Sequence, residues 1–208
     1  MPAFRPARTG TPADLLAVGL GNPGLEFEST LHNVGADVVA LLAARHGASL
    51  KMGREHSRTA EVRVGNDGRD LRLALAFPQT YMNDSGRAVA PLVRRFGIDS
   101  LERLVVVHDE LDLPVGAVRV KMGGGLAGHN GLRSIKAHLH SQDFARVRIG
   151  VGKPPGGKER GAEHVLRVPA KKVRAELQVS IEVAADAVEC ILRAGVAAAQ
   201  NLFNAQSD

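Results

Sequence analysis

Apolar residues follow two rhythms along this chain, short continuous or alternating runs that predict strands and three-to-four-residue spacings that predict helices. Residues 15–20 form an unbroken apolar run closing on Gly21-Asn22-Pro23-Gly24, the pattern of a buried strand stopped by a turn. Val34, Val38, Leu41 and Leu42, with Gly47 beyond, predict a helix with a glycine stop. Residues 59–64 and 71–76 alternate apolar with polar around Gly65-Asn66-Asp67-Gly68 and predict a hairpin. A second helix is expected over 85–96, with Pro91 either near its first turns or costing a backbone hydrogen bond. Residues 104–107 read as another buried strand, delivering His108, Asp109 and Glu110 at its C-terminal end. Strands over 118–121 and 146–151 flank a glycine-rich loop and a helix near 132–139. The stripe Val173, Leu177, Ile181, Ala184, Val188, Ile191 and Gly195, continuing towards Leu202, predicts one long terminal helix. Lys153 to Gly161, rich in proline and glycine, predicts a mobile basic surface loop.

These elements predict one α/β domain over residues 15–208, a twisted mixed sheet surrounded by helices, preceded by a disordered arm at 1–14. The arm carries three prolines and no apolar core, so no secretory signal is expected. No run approaches the ~18 apolar residues that span a bilayer, and a soluble cytoplasmic protein is expected. The single cysteine, Cys190, excludes an internal disulfide and a cysteine-based zinc site.

The chain of 208 residues carries 27 Lys and Arg against 22 Asp and Glu, a net charge of +5. The surplus is regional. Residues 119–160 hold nine basic side chains against two acidic ones, leaving the remainder at −2. A positive field beside the glycine-rich loop suits a polyanionic partner. Aromatics make up only 3% with no Trp, which argues against base stacking as the main recognition device.

Gly19-Leu20-Gly21-Asn22-Pro23-Gly24 matches the dinucleotide pattern G-x-G-x-x-G after a strand. Pro23 removes an amide donor, the following residues read as loop, and no acidic residue ends a second strand, so an oxidoreductase cofactor is not expected. Four polar clusters instead sit at element ends: Asn22; His32-Asn33; Met82-Asn83; and His108-Asp109-Glu110 with His129-Asn130. Singly each reads as a cap or turn residue. Together they suit hydrolysis without a covalent intermediate, an imidazole taking a proton from water, a carboxylate orienting it and amides donating to an oxyanion. No G-x-S-x-G elbow and no H-E-x-x-H spacing is present, so neither a serine nucleophile nor a metal is expected.

Beyond this chemistry, the blocks Gly19 to Gly24, Thr30 to Gly35, Pro78 to Gly86, His108 to Pro114, Gly123 to Gly131 and Arg148 to Pro154 resemble bacterial peptidyl-tRNA hydrolase, in order and over nearly the whole chain. The resemblance implies a monomeric, cofactor-free enzyme that cleaves the ester between peptide and tRNA 3' end in peptidyl-tRNA released prematurely from ribosomes. It implies His32 as general base and Asp109 as its orienting partner, with Asn22 and Asn130 on the peptide. Asn83 would position substrate or the oxyanion, Met82 and Phe27 line the cleft, and His129 lie near the ester. Lys121 and Arg148 correspond to positions that contact tRNA phosphate. Two departures stand out: Phe27 where the family usually has Tyr, and Leu31 where it usually has Arg. A fold retained as an RNA-binding factor without catalysis is the alternative, and the intact polar set argues against it.

Overall fold

The computed structural model describes residues 12–154, 156–157 and 160–205. Seven strands form one mixed sheet in the order β2-β3-β4-β1-β5-β7-β6. They are β1 Leu15–Gly19, β2 Lys51–Met52, β3 Ser57–Asn66, β4 Arg69–Pro78, β5 Leu104–Glu110, β6 Val118–Met122 and β7 Ala145–Gly150. β4, β1, β5 and β7 run parallel, while β2, β3 and β6 are antiparallel to their neighbours. The expected α/β domain with a mixed sheet is therefore the observed one.

Because side chains alternate along each strand, every central strand feeds two cores. Leu15, Ala17, Val105, Val107, Val147 and Ile149 face helices α1 (Val34–Arg45) and α5 (Lys171–Asn204). Leu16, Val18, Leu104 and Val106 face α2 (Ser85–Arg95) and α3 (Asn130–Leu139). Glycine sets how closely these layers approach. A Cβ on Gly19 would lie 2.0 Å from the Gly35 carbonyl oxygen, and one on Gly35 would lie 2.2 Å from that of Val107. The first turn of α1 thus lies directly on the C-terminal ends of β1 and β5.

Several elements differ from their sequence expectation. β3 and β4 are longer than predicted, joined through Asp67 and Gly68 at φ 46° and 79°, the left-handed pair that a two-residue hairpin turn requires. α5 does not run straight through its stripe. At Gly195 φ 84° and ψ 170° break the helix, a conformation open to glycine, and the last turns swing against β6. There the Asn204 carboxamide takes both edge groups of Val120, accepting from its N–H at 2.8 Å and donating to its carbonyl at 2.9 Å. A short helix α4, Gly161–Val165, stands where the sequence predicted the end of a loop. Pro155, Lys158 and Glu159 of that loop lie outside the described residues. So do residues 1–11 of the expected arm, but Ala13 and Asp14 belong to the fold: Ala13 is buried and donates to the Phe96 carbonyl, and Asp14 donates to that of Arg72.

Candidate active site

The glycine-rich turn after β1 serves packing and side-chain placement. Gly24 has φ 117° and leads into a 3-10 turn, Leu25–Phe27, and the first-turn amide of Ala36 in α1 donates to the Leu20 carbonyl. Asn33 clamps the turn, its Oδ1 accepting from the Asn22 N–H at 2.8 Å and its Nδ2 donating to the Asn22 carbonyl at 3.0 Å. The Asn22 side chain in turn accepts from the Met82 N–H through Oδ1 at 2.8 Å. An amide whose oxygen is committed this way leaves its NH2 for the cleft.

Asp109 lies near the end of β5, 3% exposed. Its Oδ1 is 2.8 Å from His32 Nδ1 and 3.1 Å from His129 Nε2. Burial pushes the Asp109 carboxyl up, but His32 and His129 outweigh it and hold the group well below the usual carboxylate range. An ionised carboxylate only accepts, so Nδ1 of His32 carries the proton and its Nε2 keeps the lone pair. His129 is held in the opposite tautomer. It is the N-cap of α3, where Nδ1 accepts from the Leu132 N–H at 3.4 Å, so Nε2–H donates to Asp109. Behind it lies His108, fully buried, its ring edge-on to His129 at 4.9 Å and its Nδ1–H donating to the Asp109 carbonyl at 2.7 Å. Burial first, and then the neighbouring His129, push the His108 pKa well below its ordinary value, keeping that ring neutral.

His32, Asp109 and His129 open into a cleft of about 630 Å³. It brings together every cleft residue the sequence reading named: Asn22, Phe27, His32, Met82, Asn83, Asp109, His129 and Asn130. Met82 is buried against Gly131, while Asn83, central in a 3-10 turn, and Asn130, the first residue of α3, are exposed. Both ring nitrogens of His129 are engaged within the protein. The far wall, Ala162, Val165 and Leu166 around α4, was not foreseen, since five helical residues after a glycine-rich loop carry too little periodicity to read. Tyr81, 60% exposed, meets Phe27 edge-on at 6.4 Å across the cleft mouth. Leu31 is buried in the core, with its N–H donating to the Arg167 carbonyl, so this departure fills the interior and does not line the cleft.

The basic segment is less exposed than its charge count suggests. Arg148, half-buried, pairs with the buried Glu110 at 3.1 Å, and Lys153 pairs with Asp112 at 3.4 Å. Arg146 is buried altogether. Lys121 has no ion-pair partner among the described residues. His32, Asp109 and His129 place three ligand-type atoms within 4.8 Å of one another, a donor set of the kind that also holds divalent transition ions. Here one carboxylate oxygen shared by two imidazole N–H groups accounts for that spacing.

An α/β fold with an imidazole-carboxylate pair and convergent amides at the C-terminal ends of its parallel strands defines a hydrolase-type site. The peptidyl-tRNA hydrolase family model matches residues 16–208, and the chain belongs to that family. It is 49% identical over 193 residues to the peptidyl-tRNA hydrolase of Kineococcus radiotolerans, covering 91% of this chain and 96% of the relative. It is 48% identical over 193 residues to that of Mycobacterium tuberculosis, covering 92% and 97%. The crystal structure of peptidyl-tRNA hydrolase from Acinetobacter baumannii superposes with a TM-score of 0.81 at 39% identity, covering 95% of this chain and 98% of that one. Among the described residues no helix is long and apolar enough to cross a membrane.

Proposed function

We propose that this chain hydrolyses the ester between the peptide and the 3' end of tRNA in peptidyl-tRNA released prematurely from ribosomes, so recycling the tRNA. The observation that carries the proposal is the 2.8 Å contact between His32 Nδ1 and the buried Asp109 carboxylate. It leaves His32 Nε2 as a lone pair at the cleft. In the proposed reaction that nitrogen takes a proton from water as the oxygen attacks the ester carbonyl, and Asp109 stabilises the resulting imidazolium. The tetrahedral oxyanion is stabilised by amide donors, Asn83 among them, and collapses to release the ribose 3' oxygen, which recovers the proton from His32. Attack by water directly on the ester leaves no covalent intermediate, and no step is assigned to a metal or cofactor.

Asn22 and Asn130 hold the peptide through its main chain, which makes recognition indifferent to peptide sequence. Met82, Phe27 and the edge of the His129 ring shape the cleft around the ester. Lys121 and Arg148 receive tRNA phosphates, Arg148 in competition with Glu110. The protein acts as a monomer in the cytoplasm, where peptidyl-tRNA is made.

The test is turnover of N-acetyl-aminoacyl-tRNA. His32→Ala is expected to lower kcat by about 10³-fold or more while tRNA binding persists. Undiminished turnover would remove His32 from the role of base. Binding of tRNA with no turnover by the unaltered protein would favour an RNA-binding factor instead.

A further inference from the structure

Arg146 is the largest fully buried side chain of the fold that the proposed chemistry does not use, 1% exposed as the second residue of β7. It lies in register with Lys121 of β6. A buried cation is costly unless its donors are satisfied. No carboxylate among the described residues pairs with this one. Its guanidinium instead donates through Nη1 and Nη2 to three successive carbonyls of a single loop, Gly125 at 2.9 Å, Gly124 at 3.2 Å and Gly123, while its buried Nε–H has no partner among the described residues.

Peptide units are planar and trans, so a carbonyl turned towards Arg146 turns the next residue's N–H away from it. The amides of Gly124, Gly125 and Leu126 therefore face outward, and none has an acceptor among the described residues. Gly123 and Gly124 take φ of 56° and 79°, which lets consecutive carbonyls converge on one guanidinium. Lys121 runs beside them: a Cβ on Gly124 would lie 2.9 Å from its Cε and 3.1 Å from its Nζ. The same loop leads into His129 and Asn130 at the head of α3.

We propose that Arg146 is a positioning residue that folds residues 123–126 into an anion cradle. The outward amides of Gly124, Gly125 and Leu126, with the Lys121 ammonium, take one phosphate of the substrate's RNA portion. Successive backbone N–H groups beside a lysine are a recurrent phosphate-binding device. The inference rests on the peptidyl-tRNA reading above and adds to it a buried guanidinium that never touches substrate.

Arg146→Lys keeps the charge and loses the three-carbonyl grip. It is expected to raise KM for N-acetyl-aminoacyl-tRNA about tenfold, the worth of one charge-assisted hydrogen bond, with kcat within about twofold. The slope of log affinity against log salt should become shallower by about 0.7 to 0.9 although net charge is unchanged. Gly124→Ala, strained at positive φ and pressed on Lys121, should give the same KM-type loss without touching the core. An N-acetyl-aminoacyl ester of a short CCA oligonucleotide should be turned over equally by all of these proteins. A wild-type KM and salt slope in Arg146→Lys and Gly124→Ala, or an equal loss on the short ester, would overturn the cradle. If the unaltered protein cleaves neither ester, the hydrolase reading falls and the cradle is still decided by binding. An acceptor-stem hairpin should then shift the amide resonances of Gly124 to Leu126 in the unaltered protein, and unshifted resonances would refute it.

Discussion

Asn22 reaches across the cleft floor to Met82, its side-chain oxygen accepting the Met82 backbone N–H at 2.8 Å. That bond leaves the NH2 end of the amide for the cleft, the end proposed to meet substrate. Asn22→Asp preserves the acceptor for Met82 and replaces the donor with a carboxylate oxygen. It should fold like the unaltered protein and lose about 10²-fold or more in kcat/KM on N-acetyl-aminoacyl-tRNA, as expected when a donor to a buried carbonyl becomes an acceptor facing it. Full activity in Asn22→Asp would mean that the NH2 group does not contact substrate.

Asp109 accepts from two imidazoles through one oxygen. Asp109→Asn keeps the shape but removes the charge that stabilises a protonated His32, and its own NH2 can drive the ring into the other tautomer. A loss of about 10³-fold in kcat with little change in KM is expected, since the missing interaction is one made in the transition state. A change confined to KM would assign Asp109 to binding.

The His32, Asp109 and His129 cluster has ligand-type spacing, so metal dependence is a direct question. Exhaustive dialysis against a chelator is expected to leave turnover of N-acetyl-aminoacyl-tRNA unchanged. Loss of activity restored by a stoichiometric divalent ion would reassign these three residues as ligands.

Asp37, in the first turn of α1, has its pKa pushed up to about 6 by burial and by the nearby Glu28, with Arg174 opposing. A raised carboxyl pKa means that the folded protein binds more protons than the unfolded chain between about pH 4 and 6. Stability from this group is therefore present below that window and lost as pH rises through it. Asp37→Asn should stabilise the fold by about 1 to 3 kcal/mol at about pH 8 and change little at about pH 4, read by urea titration at the two pH values. Equal effects at both would show that the carboxyl is not buried in its charged form.

Much of this molecule is written locally. The apolar run of residues 15–20, the alternation around Asp67-Gly68 and the α5 stripe specify strands, hairpin and helix, because burial periodicity is a property of neighbouring residues. The lining of the cleft was legible too, as asparagines and histidines gathered at element ends that an α/β sheet collects along one edge. Gly195 shows the limit of periodicity, since spacing alone counts it as one more position on the stripe while its left-handed φ ends the straight helix.

What the sequence by itself determined is the set of elements and the inventory of reactive groups. Only the tertiary structure decided how each group is used. His32 and Asp109 are 77 residues apart, and their contact depends on α1 lying against β1 and β5 through Gly19 and Gly35. The tautomer of His129 follows from its place at the head of α3, and Arg146, a unit of positive charge in the sequence, is spent inside the protein on three carbonyls. Hydrogen-bond partners and burial depend on groups distant along the chain, and these contacts, more than residue type, set protonation, orientation and access to solvent.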